Sequence, residues 1–214
     1  MSFAPYAALA SALLPQVQAA TDGAHDLAHL QRVWGNVRAI SAEEGGDGEI
    51  LAAAKLLHDC VGVEKDSPLR AQASRLAAAR AADLLRAREW PEDRVAAVAH
   101  AIEAHSFSAG IAPTTPEARI LQDADRLDAI GMVGVARCFY IAGRMGSALY
   151  DAADPEARHR SYDDTRFAID HFQTKLLGLA AGFQTRSGAR LAAERHARLR
   201  RFLDEFMQEV GCAA

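Results

Sequence analysis

The chain has few of the features that mark proteins of the nucleic-acid-binding, secreted or membrane-spanning classes. Its 24 Lys and Arg residues are outnumbered by 28 Asp and Glu residues, for a formal net charge of −4, so a large basic DNA-binding face is not expected. The three cysteines have no paired zinc spacing, and their odd number argues against a disulfide framework. No uncharged apolar run reaches the roughly 18 residues that a membrane span requires. We therefore expect a cytoplasmic protein with no membrane partner and no stable nucleic-acid partner.

The N-terminal segment is apolar, and Gln18-Ala19-Ala20 has the small-residue character of a signal cleavage site. However, the first Lys or Arg is Arg32, so the positively charged region of a secretory signal is missing, and Pro15 interrupts the apolar stretch. The segment is therefore predicted to form an amphipathic first helix.

Apolar residues recur at helical spacing along most of the chain. In one example, Leu30, Val33, Val37 and Ile40 are three or four residues apart, so they share one face of a helix. No segment alternates convincingly between apolar and polar residues at period two. The pattern predicts an all-α fold with about eight or more helices. The predicted helices cover about residues 4–18, 25–43, 50–57, 68–88, 91–105, 115–129, 164–181 and 189–210.

The domain organisation is predicted from length and from the absence of a linker. No stretch rich in Pro, Gly or Ser divides the 214 residues, and this length allows one sizeable core. We expect a single domain over residues 1–214, with a core over about 23–130 and C-terminal helices over about 155–210 packed on it. The glycine-rich segment from Gly131 to Gly146 could pack internally or line a homodimer interface.

The apolar helical run from Ile50 to Leu57 stops at His58 and Asp59. Adjacent residues of a helix point about a third of a turn apart, so both can reach one ion only if other elements bring ligands to the same point. The pair therefore predicts metal-type ligands elsewhere in the chain. Such residues occur in pairs at three other places: His25 and His29, His100 and His105, and Asp123 and Asp125.

The order of a helical His, a His-Asp doublet and a distant Asp resembles the HD-domain superfamily of metal-dependent phosphohydrolases. The chain lacks the HD-GYP signature of cyclic-di-GMP phosphodiesterases, and nothing after Asp125 resembles the synthetase domain of the bifunctional alarmone enzymes. Further motifs are similar to one subfamily of small stand-alone bacterial phosphohydrolases and extend the resemblance over roughly residues 23–210. These are Ala24-His25-Asp26-Leu27-Ala28-His29, Lys65-Asp66-Ser67-Pro68, His105-Ser106-Phe107-Ser108, the stretch from Asp123 to Gly131, His171-Phe172 and Lys175-Leu176-Leu177.

The resemblance implies four metal ligands: His29, His58, Asp59 and Asp125. Two imidazoles and two carboxylates form a mixed nitrogen and oxygen set, which suits an octahedral ion with open water positions better than a closed structural zinc site. One divalent ion is therefore expected, chosen from Mn²⁺, Mg²⁺, Fe²⁺, Co²⁺ and Ni²⁺. A second ion, held through His100 or His105, stays open.

Three neighbouring residues are assigned to supporting positions. His25 precedes the position that the family uses, and Asp123 points about 200 degrees away from Asp125 on a helix, so both are expected to orient ligands or to cap. Asp128 follows Asp125 by about one turn and is expected to orient the ligands by hydrogen bonding to them rather than by contacting the ion.

Phosphoryl transfer also needs positive charge or hydrogen-bond donors around the phosphate oxygens. Lys65, Arg75 and His100 are the candidates for this role. Ordinary solvated charge explains Lys65 equally well and Arg75 somewhat better, and a core histidine is the slightly favoured reading of His100. Glu64 is a candidate proton acceptor for the attacking water. His105 resembles a family position near the substrate phosphate and could protonate a leaving oxygen. Asp59 is counted with the catalytic residues as well as with the ligands.

The resemblance implies hydrolysis of a small phosphorylated substrate, in particular a nucleotide phosphoester or phosphoanhydride. Similar proteins suggest nucleoside triphosphate pyrophosphohydrolysis. Two other readings remain open. In one, the protein holds a metal and senses a nucleotide without turnover; in the other, it is a structural helical module whose histidines are core residues.

Overall fold

The computed structural model describes residues 3–17, 27–63, 69–106 and 109–211, and within these ranges the chain forms α-helices and no β-strand. The all-α prediction is therefore confirmed. Over the same ranges, no helix is long and apolar enough to cross a membrane. The helices are α1 (Ala7–Leu13), α2 (Leu27–Glu44), α3 (Gly48–Leu57), α4 (Ala73–Arg86), α5 (Glu92–His105), α6 (Pro116–Leu127), α7 (Gly131–Met145), α8 (Asp170–Thr174) and α9 (Arg186–Glu209).

The chain comprises two compact units. The first contains Met1–Asp125 and Gln184–Gly188, and the second contains Arg126–Phe183 and Ala189–Ala214. The single domain expected over residues 1–214 stays a prediction.

Helix α3 lies at the centre of the first unit, and every residue from Ile50 to Leu57 is buried. It contacts α1, α2, α4 and α5, which explains why its sequence is apolar on all sides rather than along one stripe. The Asp47 carboxylate caps its N-terminus by accepting hydrogen bonds from the backbone N–H groups of Glu49 and Ile50. This packing carries His58, the residue that ends the helix, into the interior, where it is also buried.

The apolar stripe predicted on α2 is confirmed, because Leu30, Val33, Val37 and Ile40 are all buried. His29 and Asn36 of the same helix are buried with them. Helix α2 therefore places one imidazole and one amide in the interior of the first unit.

The second unit has a core of its own, formed by α7, α8 and α9. Rings from the three helices lie within about 6 Å of one another, with the Phe172 and Phe202 rings stacked at 5.7 Å. The members of the buried cluster are Val135, Cys138, Ile169, Phe172, Leu176, Leu199 and Leu203.

The periodicity of the sequence did not reveal α7, because its glycines look like turn signals. Only Gly146 ends the helix, where it has a φ of 73°. Gly134 lies inside the helix, and glycine is required there because a Cβ would clash with the carbonyl group of Ala129.

The single helix predicted over residues 164–181 is wrong in extent. The structure has only the short helix α8 there, followed by a 3₁₀ helix over Leu176–Ala180. The backbone N–H groups of Ala168 and Ile169 donate to the carbonyl oxygens of Ala148 and Leu149, at 2.9 and 3.0 Å. Since these N–H groups bond to another segment, they are not available to an α-helical ladder.

Candidate metal centre

Three helices of the first unit bring the four predicted ligands together. His29 comes from α2, His58 and Asp59 follow the end of α3, and Asp125 lies near the end of α6. The Nε2 atoms of His29 and His58 each lie 3.5 Å from Asp125 Oδ1. His58 Nε2 also lies 3.0 Å from Asp59 Oδ2. His58 is therefore the centre of the cluster.

The orientation of the His58 ring is set by the helix that precedes it. Its Nδ1 lies 2.9 Å from the carbonyl oxygen of Lys55, which can only accept a hydrogen bond, so Nδ1 carries a proton. In the neutral ring the lone pair is then on Nε2, the atom that faces Asp59 and Asp125.

The spacing of the donor atoms fits a small divalent ion. Two adjacent ligands of an octahedral ion at about 2.1 Å are separated by roughly 3 Å, and the separations from His58 Nε2 to the two carboxylates are 3.0 and 3.5 Å. Asp125 Oδ1 is buried, and among the described residues no group donates a hydrogen bond to it. A cation between the imidazole nitrogens and this oxygen would satisfy the buried carboxylate.

The electrostatics of the cluster keep the carboxylates ionised. Burial acts to raise the pKa of Asp125, but the neighbouring His58, His29 and Lys55 outweigh it and hold the pKa well below its usual range. Burial also acts on Asp59, whose pKa is lowered overall by His58 and then by His105. Both carboxylates are therefore negative at neutral pH, as a divalent cation requires.

The pKa of His58 responds to the same charges. Burial and the charge of Lys55 lower it, but the carboxylates of Asp59 and Asp125 outweigh them and raise the pKa of His58 to about 9. In the absence of an ion, the imidazolium form of His58 partly neutralises the two carboxylates.

His105, at the C-terminal end of α5, also lies close to the His58 ring. The two ring centroids are 5.0 Å apart with the planes at 82°, and His105 Nε2 lies 3.9 Å from Asp59 Oδ1. His105 Nδ1 lies 2.6 Å from the carbonyl oxygen of Ile102. Burial, followed by the charge of His58, lowers the pKa of His105. His105 is therefore neutral at physiological pH, with its lone pair on Nε2.

The donor atoms form two overlapping groups in which a metal ion could be held. Each group has three residues whose ligand atoms lie within 4.8 Å of one another: His29, His58 and Asp125 in one, and His58, Asp59 and His105 in the other. His58 belongs to both. The geometry thus adds His105 to the set of residues that could hold a metal.

Two side-chain hydrogen bonds hold helix α6, which carries Asp125, against α2 and α5. The Asn36 amide donates to the carbonyl oxygen of Ala124 at 2.9 Å, and the Gln122 amide donates to the carbonyl oxygen of Ala104 at 2.7 Å. Both contacts are buried, so they fix the position of α6 along α2 and α5. The sequence reasoning did not single out Asn36 or Gln122, although a buried amide on an apolar stripe is a recognisable signal.

Asp123 has the capping role that its position on α6 suggests. Its buried carboxylate accepts hydrogen bonds from the backbone N–H groups of Gln184 and Thr185 and from the Thr185 hydroxyl, at 2.7 to 3.1 Å. Thr185 Oγ1 in turn accepts from the N–H group of Gly188. Asp123 therefore holds the start of α9, while Asp125 faces the imidazoles.

Lys55 is a further residue of the centre that the sequence reasoning missed. Its side chain is completely buried, and its Nζ lies 3.1 Å from His58 Nε2 and 3.3 Å from His58 Nδ1. The signal in the sequence is the one charged residue between Ile50 and Leu57.

The remaining predicted residues have contacts of their own. Arg75 Nε donates to Glu103 Oε1 at 3.2 Å in an exposed ion pair, and His100 Nε2 accepts a hydrogen bond from the Thr114 N–H group at 3.1 Å. In the second unit, Asp128 is buried and Arg137 donates to its Oδ2 at 2.8 Å. Their roles at phosphate or behind the ligands stay predictions. His25, Glu64, Lys65 and the helix start at Ser67-Pro68 lie outside the described residues.

Comparisons with known proteins show which family the chain resembles. The family model for the HD domain matches residues 26–130. The uncharacterized protein YpgQ of Bacillus subtilis is 32% identical over 190 residues, which are 87% of this chain and 84% of the relative. The crystal structure of YpgQ in complex with ADP has a TM-score of 0.72 at 30% identity and covers 94% of this chain and 97% of that chain.

Two further crystal structures are similar over nearly the whole chain. An HD-superfamily hydrolase from Bacillus thuringiensis has a TM-score of 0.70 at 28% identity, covering 96% of this chain and 95% of that chain. A protein from Lactobacillus plantarum has a TM-score of 0.70 at 31% identity and covers 96% of each chain.

Proposed function

Because the chain belongs to the HD-domain family, we propose that it is a divalent-metal-dependent phosphohydrolase whose substrate is a nucleotide phosphoester or phosphoanhydride. The observation that carries this proposal is the clustering of a second imidazole and two ionised carboxylates around His58 in the first unit. The finer proposal, based on the resemblance of the sequence motifs, is pyrophosphohydrolysis of a nucleoside triphosphate.

The residues that would hold the ion are His29, His58, Asp59 and Asp125. When bound, a divalent ion supplies a Lewis acid that polarises a phosphoryl oxygen and activates water for attack on phosphorus. The protein contributes fixed donors on three helices, with the Lys55 carbonyl holding the His58 ring and the Asn36 amide holding α6. Such preorganisation avoids reorganisation during the reaction.

His105 is the candidate for the proton transfer. Its Nδ1 proton is committed to the Ile102 carbonyl oxygen, and its lowered pKa leaves Nε2 with a lone pair at neutral pH. Nε2 can therefore take up a proton from solvent and deliver it to the leaving oxygen, while Glu64 accepts the proton of the attacking water. The Nε2 atom lies 3.9 Å from Asp59 Oδ1, so this proton transfer would take place next to the proposed ligands.

Lys65, Arg75 and His100 remain the proposed contacts for the phosphate oxygens, and Glu64 remains the proposed proton acceptor for water. The complex of YpgQ with ADP supports a nucleotide as the ligand of this chain. An alternative that the same complex supports is a metal-containing protein that binds a nucleotide without hydrolysing it.

The test is a screen of the metal-stripped protein against nucleoside mono-, di- and triphosphates. Each reaction receives Mn²⁺, Mg²⁺, Co²⁺ or Ni²⁺, and phosphate and pyrophosphate are measured separately. We expect metal-dependent release that is lost in Asp59→Ala and kept in Asp93→Ala, since Asp93 is an exposed residue in the first turn of α5. The released product identifies the bond that is broken. Nucleotide binding without release of either product would favour the sensor.

A further inference from the structure

The environment of Lys55 is unusual for a lysine. The side chain is fully buried, and a buried ammonium group is costly unless opposite charge compensates it. Its Nζ is at nearly equal distances from the two ring nitrogens of His58, 3.1 Å from Nε2 and 3.3 Å from Nδ1. A position in the plane of the ring at these distances would collide with the Cε1 atom between the two nitrogens. Nζ therefore lies over the face of the ring, and in the neutral ring the in-plane lone pair of Nε2 is available to an ion.

The charge of Lys55 acts on the proposed ligands. It contributes to the lowered pKa of Asp125 and opposes the raised pKa of His58. The carboxylates of Asp59 and Asp125 are close enough for the charge of Asp125 to raise the pKa of Asp59. The cluster therefore contains two carboxylates that repel each other, with the imidazolium of His58 and the buried ammonium group of Lys55 beside them.

We propose that the ammonium group of Lys55 is a counter-charge of the metal-ligand set. Together with the imidazolium of His58, it offsets the carboxylate charges when no ion is bound, and it weakens the binding of a divalent ion so that the ion can exchange. This inference rests on the metal ligands of the proposed function and adds the residue that sets the affinity of the site.

The size of the effect follows from the distances. An ion held by His58 Nε2 at about 2.1 Å would lie no more than about 5 Å from Lys55 Nζ, which is 3.1 Å from Nε2. At that separation, Coulomb repulsion between one and two charges changes the binding constant by about tenfold even with the dielectric constant of bulk water. A buried site has a lower effective dielectric constant, so tenfold is the minimum expected change.

The experiment is calorimetric titration of metal-stripped protein with Mn²⁺ at pH 7.5. We expect Lys55→Met and Lys55→Gln to bind Mn²⁺ with a dissociation constant at least about tenfold lower than that of the wild type. Both variants remove the charge but differ in side-chain polarity, so a shared gain reports the charge. Two controls should stay within about twofold of the wild type: Arg38→Met removes an exposed charge from α2, and Leu51→Met changes packing one turn earlier on α3.

The outcomes separate this inference from the proposed function. If the wild type binds Mn²⁺ and both neutral variants bind it equally or more weakly, the counter-charge is overturned and the metal site is kept. A wild type that binds no Mn²⁺ would overturn both. If the neutral variants do not fold without metal, helical circular dichroism is followed as Mn²⁺ is added. Recovery of the helical signal supports the proposal, and no recovery overturns it.

Discussion

His58 Nδ1 lies 2.9 Å from the carbonyl oxygen of Lys55, and the ammonium group of the same lysine lies over the His58 ring. One residue thus contacts the ring twice, through its backbone and through its side chain. The backbone contact fixes which nitrogen carries the proton, and the side-chain contact places a charge beside the other nitrogen. The last turn of α3 therefore controls both the orientation and the electrostatic environment of the central imidazole.

Asp125 is the carboxylate that both α2 and α3 imidazoles approach, so its charge should decide whether the site binds an ion. We expect Asp125→Asn to lower the affinity for Mn²⁺ by at least about a hundredfold, because it removes a full charge and an ionic ligand while keeping the shape of the side chain. Calorimetric titration measures the loss. The matched control is Asp93→Asn on the surface of α5, which should bind Mn²⁺ as the wild type does. Equal binding by Asp125→Asn would show that Asp125 is not a ligand.

Asn36 is expected to act through the position of α6 rather than through contact with the ion. Asn36→Ala removes the donor to the Ala124 carbonyl oxygen and leaves that oxygen buried, so the free energy of unfolding should fall by about 1–3 kcal/mol. Urea denaturation measures this change. Gln31→Ala, at a partly exposed position of the same helix, should change it by less than about 0.5 kcal/mol. A stability loss no larger than that of the control would rule out the anchoring role.

Asp47 should stabilise the first unit in a pH-dependent way. The Arg94 side chain, which donates two hydrogen bonds to the carboxylate, is the main cause of its lowered pKa. A carboxyl group whose pKa is lower in the folded state contributes stability above its unfolded pKa and loses it as the pH falls. Asp47→Ala should therefore cost about 0.5–2 kcal/mol at pH 7 through the lost cap, and the difference should be smaller at about pH 3, below the usual pKa of an aspartate. A difference that is the same at both pH values would contradict the electrostatic account.

The glycines of α7 should respond in opposite directions to substitution by alanine. Gly134→Ala places a Cβ against the Ala129 carbonyl group, and we expect a loss of about 1–3 kcal/mol in the free energy of unfolding. Gly143→Ala meets no atom within 4 Å in the described structure and should raise stability by about 0.5–1 kcal/mol, because alanine favours helix. Chemical denaturation of the two variants provides the comparison. Equal effects would show that Gly134 is not held by this close approach.

The sequence predicted the helices of the first unit well because their apolar residues follow helical spacing, as in α2. It failed at α7, where Gly134 satisfies a packing requirement that no local pattern reveals. It also failed over residues 164–181, where the N–H groups of Ala168 and Ile169 bond to a segment some twenty residues earlier. Both errors come from contacts between distant parts of the second unit.

For the candidate site, the sequence motifs indicated which residues should lie near one another. In the structure His58 lies 3.0 Å from Asp59 and 3.5 Å from Asp125, and His29 lies 3.5 Å from Asp125. The motifs did not indicate Lys55, because its role depends on the depth at which α3 is buried. The same limit applies to Asn36. Its partner is a backbone carbonyl group, so the pattern of side chains in the sequence cannot predict the contact.

The contact of Asp123 with Gln184 and Thr185 has a consequence for chain topology. Residues 126–183 leave the first unit just after Asp125 and return to it at a point that Asp123 holds. Both ends of this 58-residue segment are therefore held by the first unit. The entropic cost of bringing the two ends together is met when the first unit folds. Because the cost of closing a loop grows only slowly with its length, insertions into the connections between the helices of this segment should cost the helices that carry the histidines little.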